Sequence, residues 1–146
     1  MLEPNELLLF RRLPDHDRRH AIRVGRRLDG DLRHHPSAVP WVAAALLHDV
    51  GKYDAGLSVP GRVLATVAAT VAGPDRLERW AAGRSRRRRR VAQYAHHGEL
   101  GAVEIRRAGG REVAAIWSAA HHHPETWSTL PIPPDVVARL DAADNA

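Results

Sequence analysis

The sequence predicts an all-α fold: a compact helical bundle with its chemistry held between helices. Three observations carry that expectation. Apolar residues recur at helical spacing in successive segments, and no segment alternates with period two. Aromatic residues make up only 5% of a chain that is 44% apolar, so its core must be mostly Ala, Leu and Val, which suits close-packed helices. The most apolar run, Trp41-Val42-Ala43-Ala44-Ala45-Leu46-Leu47, holds neither Pro nor Gly and reads as a buried helix. At 146 residues the chain is long enough for one domain with its own core. A helix within residues 1–13 leads into the body of the domain, 14–146.

Residues 5–13 form the first helix, with Leu7, Leu8, Leu9 and Phe10, and Asn5 as its N-cap. Asp17 to Leu28 is the second, with Ala21, Val24, Gly25 and Leu28 on one face and His20 at its border; Asp29-Gly30-Asp31 should break it. His34-His35-Pro36 is a connection, and Pro36 or Pro40 starts the central helix, which Gly51 should end. Tyr53 to Pro60 is a loop. Gly61 to Ala72 is an apolar helix with Val63, Leu64, Val67, Ala68 and Val71, stopped by Gly73-Pro74. Asp75 to Ala82 is short and amphipathic, and Gly83 ends it. Arg84 to Arg90 holds six arginines and runs on through Val91–Ala95 as a helix to His96-His97-Gly98. Leu100 to Arg107, Arg111 to His121 and Asp135 to Asp144 complete the helices, the last after a Pro-rich loop.

Composition narrows the chemistry. There is no cysteine, which excludes disulfides, thiolate metal sites and cysteine nucleophiles. No stretch approaches the ~20 apolar residues of a membrane span. The acidic start Met1-Leu2-Glu3-Pro4-Asn5-Glu6 is unlike a signal peptide, so the expected compartment is the cytoplasm. Net charge is +5, and of the 22 basic residues only Lys52 is not Arg. An anionic, phosphorylated partner fits this charge, since Arg stays charged and grips phosphate bidentately.

Ten histidines are many for this length, and they sit inside the chain rather than at its ends. The central apolar helix runs straight into His48-Asp49. Two polar groups at the end of a buried helix cost several kcal/mol unless satisfied, about 2–7 each. One metal ion would satisfy both through nitrogen and oxygen. A capping Asp beside a core His is the other reading of these residues. Lys52 follows one turn beyond His48 and projects to the same side if the helix persists. Across the chain His20, His48, Asp49, His97, His121, His122 and Asp144 each lie on or at the end of a helix with an apolar face, which is how bundles assemble metal sites.

The order His, His-Asp, His, His-His, Asp resembles the HD-domain superfamily of metal-dependent phosphohydrolases. The matching stretches are Arg19-His20-Ala21-Ile22-Arg23-Val24, Leu47-His48-Asp49-Val50-Gly51-Lys52, Tyr94 to Gly101, Ala120-His121-His122-His123-Pro124-Glu125 and Leu140-Asp141-Ala142-Ala143-Asp144. The resemblance implies an all-helical domain with one metal on His20, His48, Asp49 and Asp144. It implies a second on His97, His121 and His122, with Asp49 bridging. The Gly-Tyr-Pro signature of the cyclic-dinucleotide phosphodiesterase branch is absent: His123-Pro124-Glu125-Thr126-Trp127 follows instead. The pattern is closest to small stand-alone HD proteins. Spacing to Glu99-Leu100-Gly101 favours His97 over His96, and the Ala-Asp ending favours Asp144 over Asp141.

The expected activity is hydrolysis of a nucleotide or another small phosphate ester, as a monoesterase or diesterase. The cofactor is one or two divalent transition ions, with Mn, Fe, Co, Ni and Zn not distinguished. Metal-activated water would attack phosphorus, Asp49 and Lys52 are the catalytic residues, and Lys52 binds the phosphoryl oxygens. Two other readings stand beside it. One is a metal-containing module that senses a phosphorylated ligand without turnover. The other is a basic helical protein that binds nucleic acid through Arg84 to Arg90, where no aromatic residues interleave.

Overall fold

The structure, a computed structural model, describes residues 1–35, 37–52, 57 and 59–146. Among the described residues it contains α-helices, one 3-10 helix and no strand. The helices are α1 (Pro4–Arg12), α2 (Asp15–Asp31), α3 (Ala38–Leu47), α4 (Val59–Ala72), α5 (Pro74–Ala82), α6 (Arg86–Ala95), α7 (His97–Arg107), α8 (Glu112–Ala120) and α9 (Pro134–Asn145), with the 3-10 helix at Pro124–Thr129. None is long and apolar enough to cross a membrane.

Helix α3 is the centre. Val42, Ala43, Ala44, Ala45 and Leu47 are all buried, because α1, α2, α8 and α9 surround it. Full burial of one such Val or Leu is worth about 1.5–3 kcal/mol. Leu28 of α2, Ile105 of α7 and Leu140 of α9 close the same core, to which α1 adds Leu9 and Phe10. Helices α4, α5 and α6 pack on one another at the side, and α6 joins this group to α7.

Several boundaries differ from the sequence expectation. Asn5 does not cap α1; Glu3 does, in a capping box with Glu6. Asn5 instead donates to the Ala108 carbonyl, tying α1 to the end of α7. Helix α2 runs through Asp29-Gly30-Asp31 to Asp31, since one interior Gly costs only about 1 kcal/mol and tertiary packing outweighs it. Helix α3 starts at Ala38 and stops at Leu47, four residues before Gly51. Pro36 and most of the Tyr53–Pro60 loop lie outside the described residues, while Val59 and Pro60 belong to α4.

Helix α4 buries Ala65 but leaves Val63, Leu64, Val67 and Val71 exposed. Among the described residues α5 and α6 are the main elements packed against this helix, and its apolar face stays exposed. The arginine run occupies the first turns of α6 and is largely solvent-facing, with Arg88 lying 5.9 Å over the Trp80 ring.

Candidate metal centre

Three helices end at the same place. Helix α3 stops just before His48, α6 just before the His96-His97 joint and α8 just before His121. A helix end leaves carbonyls without partners. Here a histidine folds back on each: His48 Nδ1 donates to the Ala45 carbonyl at 2.8 Å, His97 Nδ1 to Tyr94 at 2.7 Å and His121 Nδ1 to Ser118 at 2.7 Å. A carbonyl only accepts, so each Nδ1 carries the proton. Each Nε2 is thereby aimed the other way, into a shared space around Asp49.

Asp49 divides that space. Its Oδ1 lies 3.4 Å from His97 Nε2 and 3.7 Å from His121 Nε2. Its Oδ2 lies 3.3 Å from His48 Nε2 and 2.6 Å from Lys52 Nζ. The third ring on the Oδ1 side is His122, more exposed, with its centroid 3.9 Å from that of His121. On the Oδ2 side α2 and α9 contribute His20 and Asp144, joined by a 2.8 Å hydrogen bond from His20 Nε2 to Asp144 Oδ1. The same Asp144 oxygen is 3.4 Å from His48 Nε2. Ligand atoms of His97, His121 and His122 lie within 4.8 Å of one another, as do those of His20, His48 and Asp49. These buried His and Asp groups can hold a metal ion.

The two sides differ in protonation. Burial opposes a charge on His48, but Asp49 and Asp144 outweigh it and raise the imidazole to about 10. Burial likewise opposes the Asp49 carboxylate, yet His48, with help from His121 and His97, holds it well below the usual range. Asp144 is also held low; His20 and His48 overcome its burial. On the other side burial pushes His121 down. Burial and the neighbouring His121, His97 and Lys52 push His122 down to about 3. On one side His48 thus favours its charged form between two carboxylates; on the other His121 and His122 favour the neutral form.

That second side is the test of fit for a metal. Asp49 Oδ1, His97 Nε2 and His121 Nε2 are buried without a hydrogen-bond partner. Leaving such an atom unsatisfied costs about 1–3 kcal/mol. Three converging acceptors are what a divalent cation with nitrogen and oxygen ligands requires, and the carbonyl bonds behind the rings are the usual outer support for such ligands.

All seven candidate ligands converge here, and Lys52 with them. Of the open pairs, His97 points inward, while His96 is surface-facing and 4.0 Å from Glu99. Asp144 faces His20, while Asp141 Oδ1 accepts from Asn145 at the surface. Lys52 is paired with Asp49 rather than free.

Sequence reasoning missed three contributors. Ser118 is fully buried, and its Oγ lies 3.0 Å from the His48 carbonyl and 3.1 Å from that of Gly98. Asp17 is buried on α2, one turn before His20. Tyr94 supplies the carbonyl behind His97 and lays its ring 5.6 Å from it. The available signal was spacing: Ser118, Tyr94 and Asp17 each stand three residues before a candidate ligand. Gly51 was also misread. A Cβ there would lie 2.0 Å from the His97 carbonyl oxygen, so glycine is needed for the contact between two ligand-bearing turns, not to end a helix.

No family model, curated protein or solved structure matches this chain.

Proposed function

We propose that this chain is a metal-dependent phosphohydrolase acting on a nucleotide or another small phosphate ester. The observation that carries the reading is the buried, partnerless triad of Asp49 Oδ1, His97 Nε2 and His121 Nε2. The resemblance to the HD-domain superfamily supports it through the same residues in the same order. His20, His48, Asp49 and Asp144 would hold one ion, and His97, His121 and His122 a second, with Asp49 between them. The donor set contains no sulfur, which suits Mn, Fe, Co, Ni or Zn. Such a metal supplies Lewis acidity toward phosphoryl oxygens and lowers the pKa of water.

The chain's own residues have three tasks. The carbonyls of Ala45, Tyr94 and Ser118 hold the rings in one tautomer, so no ligand must reorient. Lys52 lines the cavity above the ligands and pairs with Asp49, where its ammonium would meet a phosphoryl oxygen once the carboxylate is otherwise engaged. Burial of Asp49 and His48 keeps bulk water from screening these charges.

The test is elemental analysis of untagged protein, before and after anaerobic reconstitution with divalent transition ions, followed by a screen of phosphate esters. Stoichiometric metal with turnover that Asp49→Ala abolishes is the expected result. Bound metal without turnover of any ester would replace this reading with ligand sensing. Less than about a tenth of an equivalent of metal after reconstitution would remove both.

A further inference from the structure

Helix α4 turns its apolar residues to solvent. Val63, Leu64, Val67 and Val71 recur at helical spacing and are 58–76% exposed, while Ala65, on the opposite side of the helix, is buried. None of the 14 residues of α4 is acidic. Contiguous exposed apolar surface of this kind marks a place where something docks. Charge indicates what. Helices α4, α5 and α6 pack on one another, and residues 59–95 hold nine arginines against Asp75 and Glu78, a net +7. The rest of the chain holds 13 basic and 15 acidic residues, a net −2. The whole positive excess of the protein therefore sits on the group of helices that exposes the apolar stripe. Arg86 to Arg89 are all exposed, and the first turn of α6 has no acidic residue to neutralise them.

We infer that α4 and the arginines of α6 form a peripheral docking surface for an anionic lipid bilayer. Val63, Leu64, Val67 and Val71 enter the headgroup boundary, and the guanidiniums meet lipid phosphates. Helices that lie on membranes combine these two contributions, apolar burial and attraction to anionic lipid, and each Arg near such a surface strengthens the attraction. A nucleic acid would use the arginines and leave the stripe in water. A protein partner would be anchored by aromatic residues set in pockets, and Val and Leu are poor anchors. A fluid acyl boundary asks for neither shape nor register. Docking also orients the candidate metal centre. Val63 belongs to the stripe and lines the cavity of about 300 Å³ that His20 and Asp49 share. Thr66 and Thr70 of the same helix line the adjoining cavity, of about 380 Å³, beside His97 and His122. Both cavities then open next to the lipid surface. The docking itself requires neither metal nor turnover.

The experiment is co-sedimentation of the full chain with vesicles of phosphatidylcholine alone, or with about a third phosphatidylglycerol. Partitioning should be at least roughly tenfold stronger onto the anionic vesicles and should weaken as salt rises. Leu64→Gln combined with Val71→Gln alters no charge and touches two exposed positions. It should keep the helicity and Tm of the native chain and lower partitioning onto anionic vesicles by at least roughly fivefold. Changing Arg86 to Arg90 to Gln should reduce it to the level seen on neutral vesicles. A depth measurement separates insertion from adhesion and serves if the Gln pair does not fold. The chain has no cysteine, so Leu64→Cys carries a single environment-sensitive fluorophore, and Ala138→Cys, exposed on α9, is its control. Emission should shift to the blue on anionic vesicles for Leu64→Cys and not for Ala138→Cys. Unchanged partitioning of a folded Gln pair, or no blue shift for Leu64→Cys, overturns the inference and leaves the arginines as charge alone. Preference for a single-stranded oligonucleotide over vesicles overturns it in favour of a nucleic-acid surface. A dimer that the Gln pair dissolves, with no vesicle binding, overturns it in favour of a second copy of the chain.

Discussion

Lys52 Nζ lies 2.6 Å from Asp49 Oδ2, the same oxygen that faces His48. The only lysine of the chain therefore competes with any cation for that oxygen and also lines the cavity above it. Removing it has opposite effects on binding and on chemistry. Lys52→Met should leave metal affinity unchanged or raise it, by up to roughly tenfold, while kcat on an active ester falls by roughly tenfold or more. Lys52→Arg should not restore kcat, because a planar fork cannot take the place of a compact ammonium. Metal titration and steady-state kinetics on the two variants measure both; a parallel loss of metal would show that Lys52 acts on the ligands.

Ion binding should release protons unequally on the two sides. His48 is protonated at neutral pH, whereas His121 and His122 are held neutral by burial. Displacing the His48 proton should make binding on its side release more protons at pH 7.5 than binding beside His121 and His122. Calorimetry in buffers of different ionisation enthalpy counts them, with His97→Ala isolating the first event. Equal release at both sites would contradict the protonation pattern.

The same pattern sets the pH dependence of the metal-free protein. His48 is raised above its unfolded value, so its contribution is complete below about 6.5 and is lost as pH rises toward about 10. His121 and His122 are lowered, so their contribution is complete above the unfolded value and is lost as pH falls below it. Asp49 and Asp144 are lowered too, and their loss follows at still lower pH. Thermal melts in chelator should therefore show highest stability near neutrality, with Tm falling in both directions. His48→Ala should flatten the alkaline limb and weaken the lowest part of the acid limb, because His48 also holds Asp49 and Asp144 down, while the part carried by His121 and His122 persists.

Gly51→Ala should be among the most damaging single-methyl changes in the chain. The added carbon would lie 2.0 Å from the His97 carbonyl oxygen and 2.6 Å from the Gly101 nitrogen, both backbone atoms that cannot rotate away. Overpacking of this kind costs about 1–3 kcal/mol and occasionally more. The loss should appear in Tm and also in metal bound on the His97 side, which a purely local strain would spare.

The arginine run should behave as surface charge. It fills the first turns of α6, where no acidic residue balances it and where the helix dipole disfavours cations. Changing Arg86 to Arg90 to Gln should leave the fold intact and raise Tm slightly, at about 0.3–1 kcal/mol per residue of the first turn. Any fall in kcat/KM should shrink at high salt, where long-range attraction is already screened. A loss of turnover independent of salt would move the run into the site.

The all-α class was legible because the apolar spacing of α2, α3 and α8 has one structural meaning. The meeting of His48 and His121 was legible for a similar reason: each follows an apolar run, and apolar helices end together when they share a core; His97 follows the arginine-rich α6, and only the resemblance and its spacing to Glu99-Leu100-Gly101 pointed to it. Boundaries were harder. Gly30 reads as a breaker locally, but α2 runs on to Asp31. Val63, Leu64, Val67 and Val71 were legible as the apolar residues of one helix but not as exposed, because pattern records which residues share a face, not what lies opposite it. Lys52 shows the same limit. Its position beside His48-Asp49 was plain, while its partner depended on the turn that follows Leu47. Ser118 offered only its spacing, three residues before His121, and a lone serine in an Ala-rich helix draws no attention without the fold around it.

Ser118 has the widest reach. Its hydroxyl sits between the His48 and Gly98 carbonyls while its own carbonyl holds His121. One residue, through its hydroxyl and its backbone carbonyl, thus touches the turns that carry His48, His97 and His121, and none of those turns can slide without disturbing the other two. Cations arriving at the two halves of the centre should accordingly feel each other through the framework, giving occupancy that rises together rather than as two independent isotherms.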